Sequence, residues 1–172
     1  MPIRDYPFTG IHKGGGFTIH GTNPSPRLWI RVENPQTRIS TDTIAIVDTG
    51  ATTCLFPAAC AIKLQYDPSS VPAIPIHTAG GTGSGRVLTT RVSVLAALPD
   101  GQADKKKILM VIGDIEVVYT DTCNEFLLGQ TAFLSRFILV VNYPEKKFSI
   151  RLPQSQKQAS NVHGPGLSGS SR

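Results

Sequence analysis

The 172-residue chain is poor in cysteine: Cys54, Cys60 and Cys123 are its only three. An odd number with no close-set pair excludes a disulfide framework and offers no zinc-ligand spacing. The four histidines, His12, His20, His77 and His163, are scattered, so no metal is expected. No apolar run approaches the length of a membrane span, and no membrane partner is expected. The first residues, with Arg4, Asp5 and two prolines, lack the apolar core of a secretory signal, which makes the cytoplasm the expected compartment. Acids are scarcer than bases, 12 against 17, for a net charge of +5. Most of that excess sits near the C-terminus, where Lys146, Lys147, Arg151, Lys157 and Arg172 face only Glu145, so the body of the chain is close to neutral. The lysine run 105–107 follows the turn signal Pro99-Asp100-Gly101 and reads as a solvated loop or strand start that discourages edge pairing. No nucleic-acid partner is expected. The lead-in glycines Gly10, Gly14, Gly15, Gly16 and Gly21 are not followed by Gly-Lys-Ser/Thr, which excludes a phosphate loop, and no cofactor is expected.

Turns and apolar residues, by contrast, are abundant. With 16 glycines, 13 prolines and 40% apolar residues, the chain has the makings of one globular domain built of short strands. We expect an all-β or mainly β fold. Strands are predicted around 17–20, over 28–32, 44–47, 52–57, 87–98, 107–112 and 114–119, and over the short apolar run 126–129. A final hairpin is predicted from 138–143 and 147–152 about Pro144-Glu145-Lys146. Residues 57–64 have the small side chains for a helical turn or two. Ala132, Phe133 and Phe137 have helical spacing, which predicts a short helix near the C-terminus. Residues 76–94 read as a hairpin whose tip, Ala79-Gly80-Gly81-Thr82-Gly83-Ser84-Gly85, is rich enough in glycine to serve as a mobile connector or a lid. Trp29 reads as a packing aromatic, with substrate stacking the sharper alternative. From Pro153 onward apolar residues are too few to offset ordering, so the tail is expected to be disordered.

The stretch 44–57 organises the rest. Ile44-Ala45-Ile46-Val47 is a strand suited to cover on both faces, and it runs straight into Asp48. Gly50 would release the backbone for a tight turn, letting the N–H groups of Gly50 and Ala51 point back at the carboxylate. Asp-Thr-Gly alone is also an ordinary Asx-type turn. The apolar approach, the Ala51-Thr52 sequel and a second element at Leu127-Leu128-Gly129 favour a working carboxylate. The Asp-x-Gly-x-Thr phosphate loop of sugar kinases and actin-like ATPases also fits these letters, but the chain is too short for two domains closing over ATP.

Together, Val47-Asp48-Thr49-Gly50-Ala51-Thr52, the glycine hairpin, Leu127-Leu128-Gly129 and a following Phe133-Leu134 resemble the retropepsin-like aspartic proteases, particularly their bacterial single-domain members. The resemblance spans roughly 28–152, leaving 1–27 as a lead-in and 153–172 as a tail. It implies a closed β-barrel-like fold in which the apolar-apolar-Gly strand crosses behind the Asp-Thr-Gly loop. It further implies Asp48 as the catalytic acid, with Thr49, Gly50, Ala51 and Thr52 as the active-site loop. Ala79, Gly80, Gly81, Thr82 and Gly83 would form a flap over a peptide or unfolded-protein substrate. Such chemistry needs two carboxylates sharing one proton. Within the chain, Asp100-Gly101 falls in a polar turn and Asp121-Thr122-Cys123 lacks the glycine, so the second carboxylate is expected from Asp48 of another copy in a homodimer. A non-catalytic peptide-binding dimer is the alternative. Many relatives carry an acid two places after the glycine of the apolar-apolar-Gly element. Here Gln130 and Thr131 supply none.

Overall fold

The computed structural model describes residues 5–7, 25–78, 81–98 and 100–153. In chain order its elements are β1 (Asp5–Pro7), β2 (Arg27–Glu33), β3 (Ser40–Val47), β4 (Leu55–Pro57), α1 (Ala58–Lys63), β5 (Ile74–Thr78), β6 (Gly81–Ala97), β7 (Ala103–Thr120), β8 (Phe126–Leu128), β9 (Ile138–Asn142) and β10 (Lys147–Arg151). Six strands close on themselves in the order β2-β3-β8-β4-β7-β6, with β6 returning to β2, and β5 extends β6 beyond the ring. A separate sheet, β1-β10-β9, carries the last hairpin, and Tyr6 of β1 stacks on Phe148 with ring centroids 5.3 Å apart. The chain is therefore an all-β barrel. No helix among the described residues is long and apolar enough to cross a membrane.

Alternation drives the closure. Along β2, Leu28, Ile30 and Val32 are buried while their neighbours are half-buried, which directs one face inward. β6 contributes Val92 and Val94 opposite Val32 and Ile30, and this pairing seals the ring. Register is reinforced from outside by cross-strand charges. Arg31 faces Asp42 and donates to both its carboxylate oxygens at 2.7 and 2.9 Å, while Arg91 joins Asp114 on one side to Glu33 on the other. Inside, Phe56 meets Phe126 at 4.9 Å and the edge of Tyr119 at 5.8 Å. The buried Thr90 hydroxyl is satisfied by the Tyr119 hydroxyl at 2.9 Å.

Several sequence expectations are corrected here. The residues with helical spacing after Gly129 form only a single 3-10 turn, Leu134–Arg136. The Leu134 and Ser135 N–H groups bond five residues back, to Gly129 O and Gln130 O at 3.0 and 2.7 Å, and those of Arg136 and Phe137 three back, so no run of α-helical bonds forms. The α-helix lies instead at Ala58–Lys63, within the other stretch that favoured one. The two strands predicted on either side of Gly113 are one, β7. There Gly113, at φ +93°, accommodates an irregular register within a continuous ribbon. Trp29 donates its indole N–H to the Gly101 carbonyl at 2.8 Å, pinning the β6–β7 turn to β2, as suits a structural aromatic. The strand predicted around 17–20 and the tail beyond 153 fall outside the described residues.

All three cysteines are free, with Cys54 and Cys60 buried. Burial pushes both thiols from 9.0 up to about 11. The fold thus favours the neutral thiols, a contribution fully present below pH 9.0 and lost as the pH rises toward 11. We expect stability in urea to fall across that window, and a Cys54→Ala/Cys60→Ala variant to lose less of its stability there than the wild type. Phe56→Ala, by emptying an aromatic site at the barrel centre, should cost about 3–5 kcal/mol by urea denaturation.

Candidate active site

β3 ends at Val47, but its hydrogen-bond ladder continues one residue further. The Asp48 N–H donates to the Leu128 carbonyl at 3.1 Å, extending the parallel β3–β8 pairing. Asp48 is thereby fixed at its backbone by the barrel wall, at the point where the chain leaves the sheet. Ala45 and Val47 are buried whereas Ile44 and Ile46 are half-buried, so this strand has one fully covered face rather than two. The Gly50 N–H donates to Asp48 Oδ1 at 2.8 Å, and among the described residues it is the only loop N–H that does so. Gly50 does not occupy a left-handed conformation. Glycine supplies space instead of freedom here, since a Cβ at this position would lie 3.3 Å from Asp48 Oδ1. Thr49, Gly50 and Thr52 are exposed, and Asp48 and Ala51 half-buried.

Behind this loop passes the end of β8. A Cβ on Gly129 would stand 2.2 Å from the Thr53 carbonyl oxygen and 2.9 Å from that of Ala51, so only glycine permits the crossing. The loop carbonyls are then claimed in turn. The Gln130 N–H donates to Ala51 O and the Thr131 N–H to Thr52 O, both at 2.9 Å. The Thr131 hydroxyl also donates to Thr52 O at 2.9 Å, and the Gln130 side-chain amide donates to Thr49 O at 2.6 Å. These bonds explain why β4 begins at Leu55 and not at Thr52: the intervening carbonyls serve the crossing, not a ladder. Gln130 and Thr131 looked like a mere departure from a family pattern in sequence. The one available signal was their place directly after Leu-Leu-Gly.

The glycine hairpin pairs β5 with β6 from Ile74–Gly85 to Thr78–Gly81. Gly81, Thr82 and Gly83 are thus strand residues, while Ala79 and Gly80 lie outside the described residues. Two of the glycines serve packing rather than motion. A Cβ on Gly83 would meet Thr122 Cγ2 at 2.2 Å, and one on Gly85 would meet Val118 Cγ1 at 2.5 Å. The Thr120 hydroxyl, donating to Ser84 O at 2.9 Å, fastens the base further. Next to Thr122, the Cys123 thiol is pushed up first by burial, with the carboxylates of Glu125 and Asp48 adding to the effect. The turn under the hairpin base is thus within electrostatic reach of Asp48.

No carboxylate among the described residues is hydrogen-bonded to Asp48. Glu125 pairs with Arg27, Asp42 with Arg31, Glu33 with Arg38 and Arg91, and Asp114 with Arg91. Asp121 is exposed at the end of β7. Among the described residues no group of histidine, cysteine and acidic side chains could hold a metal ion. A groove of about 340 Å³ lined by Met110, Val111, Ile112, Arg136, Phe137 and Leu152 includes no residue of the Asp48 loop.

Gly129→Ala should be the most damaging glycine-to-alanine change among the described residues. The contact is with backbone that cannot swing aside, and we expect a loss of at least about 3 kcal/mol in urea denaturation. Gly83→Ala presses on a threonine methyl instead, so it should shift the hairpin while costing only about 1–2 kcal/mol.

No protein-family model matches the chain, and no curated protein does. Among solved structures it is similar to a retropepsin-like aspartic protease from Rickettsia conorii, at 19% identity and a TM-score of 0.47, covering 73% of this chain and 89% of that one. It is also similar to EIAV protease complexed with an inhibitor, at 17% identity and a TM-score of 0.36, covering 66% of this chain and 88% of that one. The chain itself has an Asp48-Thr49-Gly50 loop crossed from behind by Leu127-Leu128-Gly129 on a closed six-stranded barrel, the arrangement that the sequence resemblance implies.

Proposed function

We propose that the chain is an aspartic endopeptidase whose catalytic pair is Asp48 and its equivalent in a second copy. The observation that carries this reading is an acid held at its backbone and its carboxylate on a loop that Gly129 crosses from behind. The backbone of Asp48 is anchored to β8, its side chain accepts from Gly50, and it forms no ion pair among the described residues. Glu33, Asp42 and Asp114 in the barrel wall pair with arginines, whereas Asp48, like Asp104 and Glu116, has no ion pair among the described residues. What supports a working role for Asp48 is the loop that carries it, crossed from behind by Gly129 and bonded by Gln130 and Thr131.

Two such carboxylates brought together cannot both ionise, and their titrations belong to the pair. The ionised member acts as base on a water. The neutral member donates to the scissile carbonyl, and the proton passes on to the leaving amine. Thr49, Gly50, Ala51 and Thr52 form the loop that presents the acid, and residues 79–83 would cover an extended substrate by adding main-chain bonds at the free side of β5. The catalytic domain would span roughly 28–152. Three free thiols fit a reducing, cytosolic setting.

The purified protein should sediment as a dimer and cleave unfolded protein, and Asp48→Asn should lower turnover by roughly a thousandfold or more. Equal cleavage by the two forms would remove Asp48 from the mechanism. Equal binding of an extended peptide by both, with cleavage by neither, would favour a non-catalytic peptide-binding dimer.

A further inference from the structure

Gln130 makes two bonds to the Asp48 loop, and they do different work. Its main-chain N–H donates to Ala51 O at 2.9 Å, a contact that any residue except proline could make. Its side chain reaches Thr49 O at 2.6 Å. Since a carbonyl only accepts, the –NH₂ end of the amide must face the loop. The Thr49 carbonyl and the Gly50 N–H are opposite ends of one planar peptide unit. That N–H donates to Asp48 Oδ1 at 2.8 Å. A donor on the carbonyl end therefore fixes the orientation of the plane and polarises its N–H toward the carboxylate.

We propose that Gln130 is a positioning residue for the reactive acid, acting on Asp48 through the Thr49–Gly50 peptide unit. The loop does not depend on this side chain for its path, because the main-chain bond of Gln130 and both bonds from Thr131 to Thr52 O persist without it. Gln130, Thr49 and Gly50 are exposed, so the side-chain amide can be removed without opening a cavity. The kinetic consequence rests on the reading of Asp48 as a catalytic acid. The effect on Gly50 does not.

The test uses the full chain as wild type, Gln130→Ala and Gln130→Arg, the last restoring N–H donors at that position. Amide exchange at Gly50, followed by NMR, should be roughly tenfold faster in Gln130→Ala, the factor expected from one hydrogen bond of ordinary net strength. Exchange in β3 and β8 should be unchanged, and Gln130→Arg should recover most of the protection. In peptide cleavage, Gln130→Ala should lower kcat by up to about tenfold with KM little changed. Unchanged Gly50 exchange in Gln130→Ala, or faster exchange spread equally through β3 and β8, overturns the proposal. A wild type that cleaves nothing counts against the protease reading alone, since the Gly50 measurement still decides the role of Gln130.

Discussion

The passage of Gly129 across the backbone of residues 51–53 is the constraint on which the rest of the site depends. At that separation no side chain fits between the two segments, and main-chain groups on each must satisfy those on the other. The carbonyls of Thr49, Ala51 and Thr52 consequently find donors in Gln130 and Thr131. Without the crossing, this loop would be a solvated connection between two strands. With it, Asp48 stands where the β3–β8 ladder gives way to a second set of bonds, its N–H and one carboxylate oxygen both engaged.

The barrel and the site are connected through charge as well as packing. Cross-strand pairs on β2, β3, β6 and β7 place acids opposite arginines, which steadies the registers that closure requires. Such partly exposed pairs contribute modestly to stability, at most about 1 kcal/mol each. Their larger effect is on distribution: Asp42, Glu33, Asp114 and Glu125 are each directed toward a cation, and Asp48 is not.

Much of this architecture could be read from the residues. The strand into Asp48, the final hairpin about Pro144 and the short apolar run at 126–128 all follow from local pattern, because alternation and turn chemistry are local properties. The misreadings share a different origin. Gly50 reads as backbone freedom, yet the need for glycine there comes from Asp48 Oδ1, and Gly83 and Gly85 likewise have a neighbour that a Cβ would meet, Thr122 and Val118. Ala132, Phe133 and Phe137 have helical spacing, yet the N–H groups of residues 134–137 bond five or three positions back and not four, which side-chain spacing does not reveal. The bonds of Gln130 and Thr131 were likewise invisible, since nothing in a polar pair announces which distant carbonyl it will meet.

β6 runs unbroken from Gly81 to Ala97, and the same edge that binds β5 near its start binds β2 from Arg91 onward. The arm beyond the ring and a stave of the ring are thus one rod with no joint between them. Whatever displaces residues 81–83 must either bend that rod over 86–90 or tilt the stave itself, so occupancy at the arm would register as stress in the seam opposite β2.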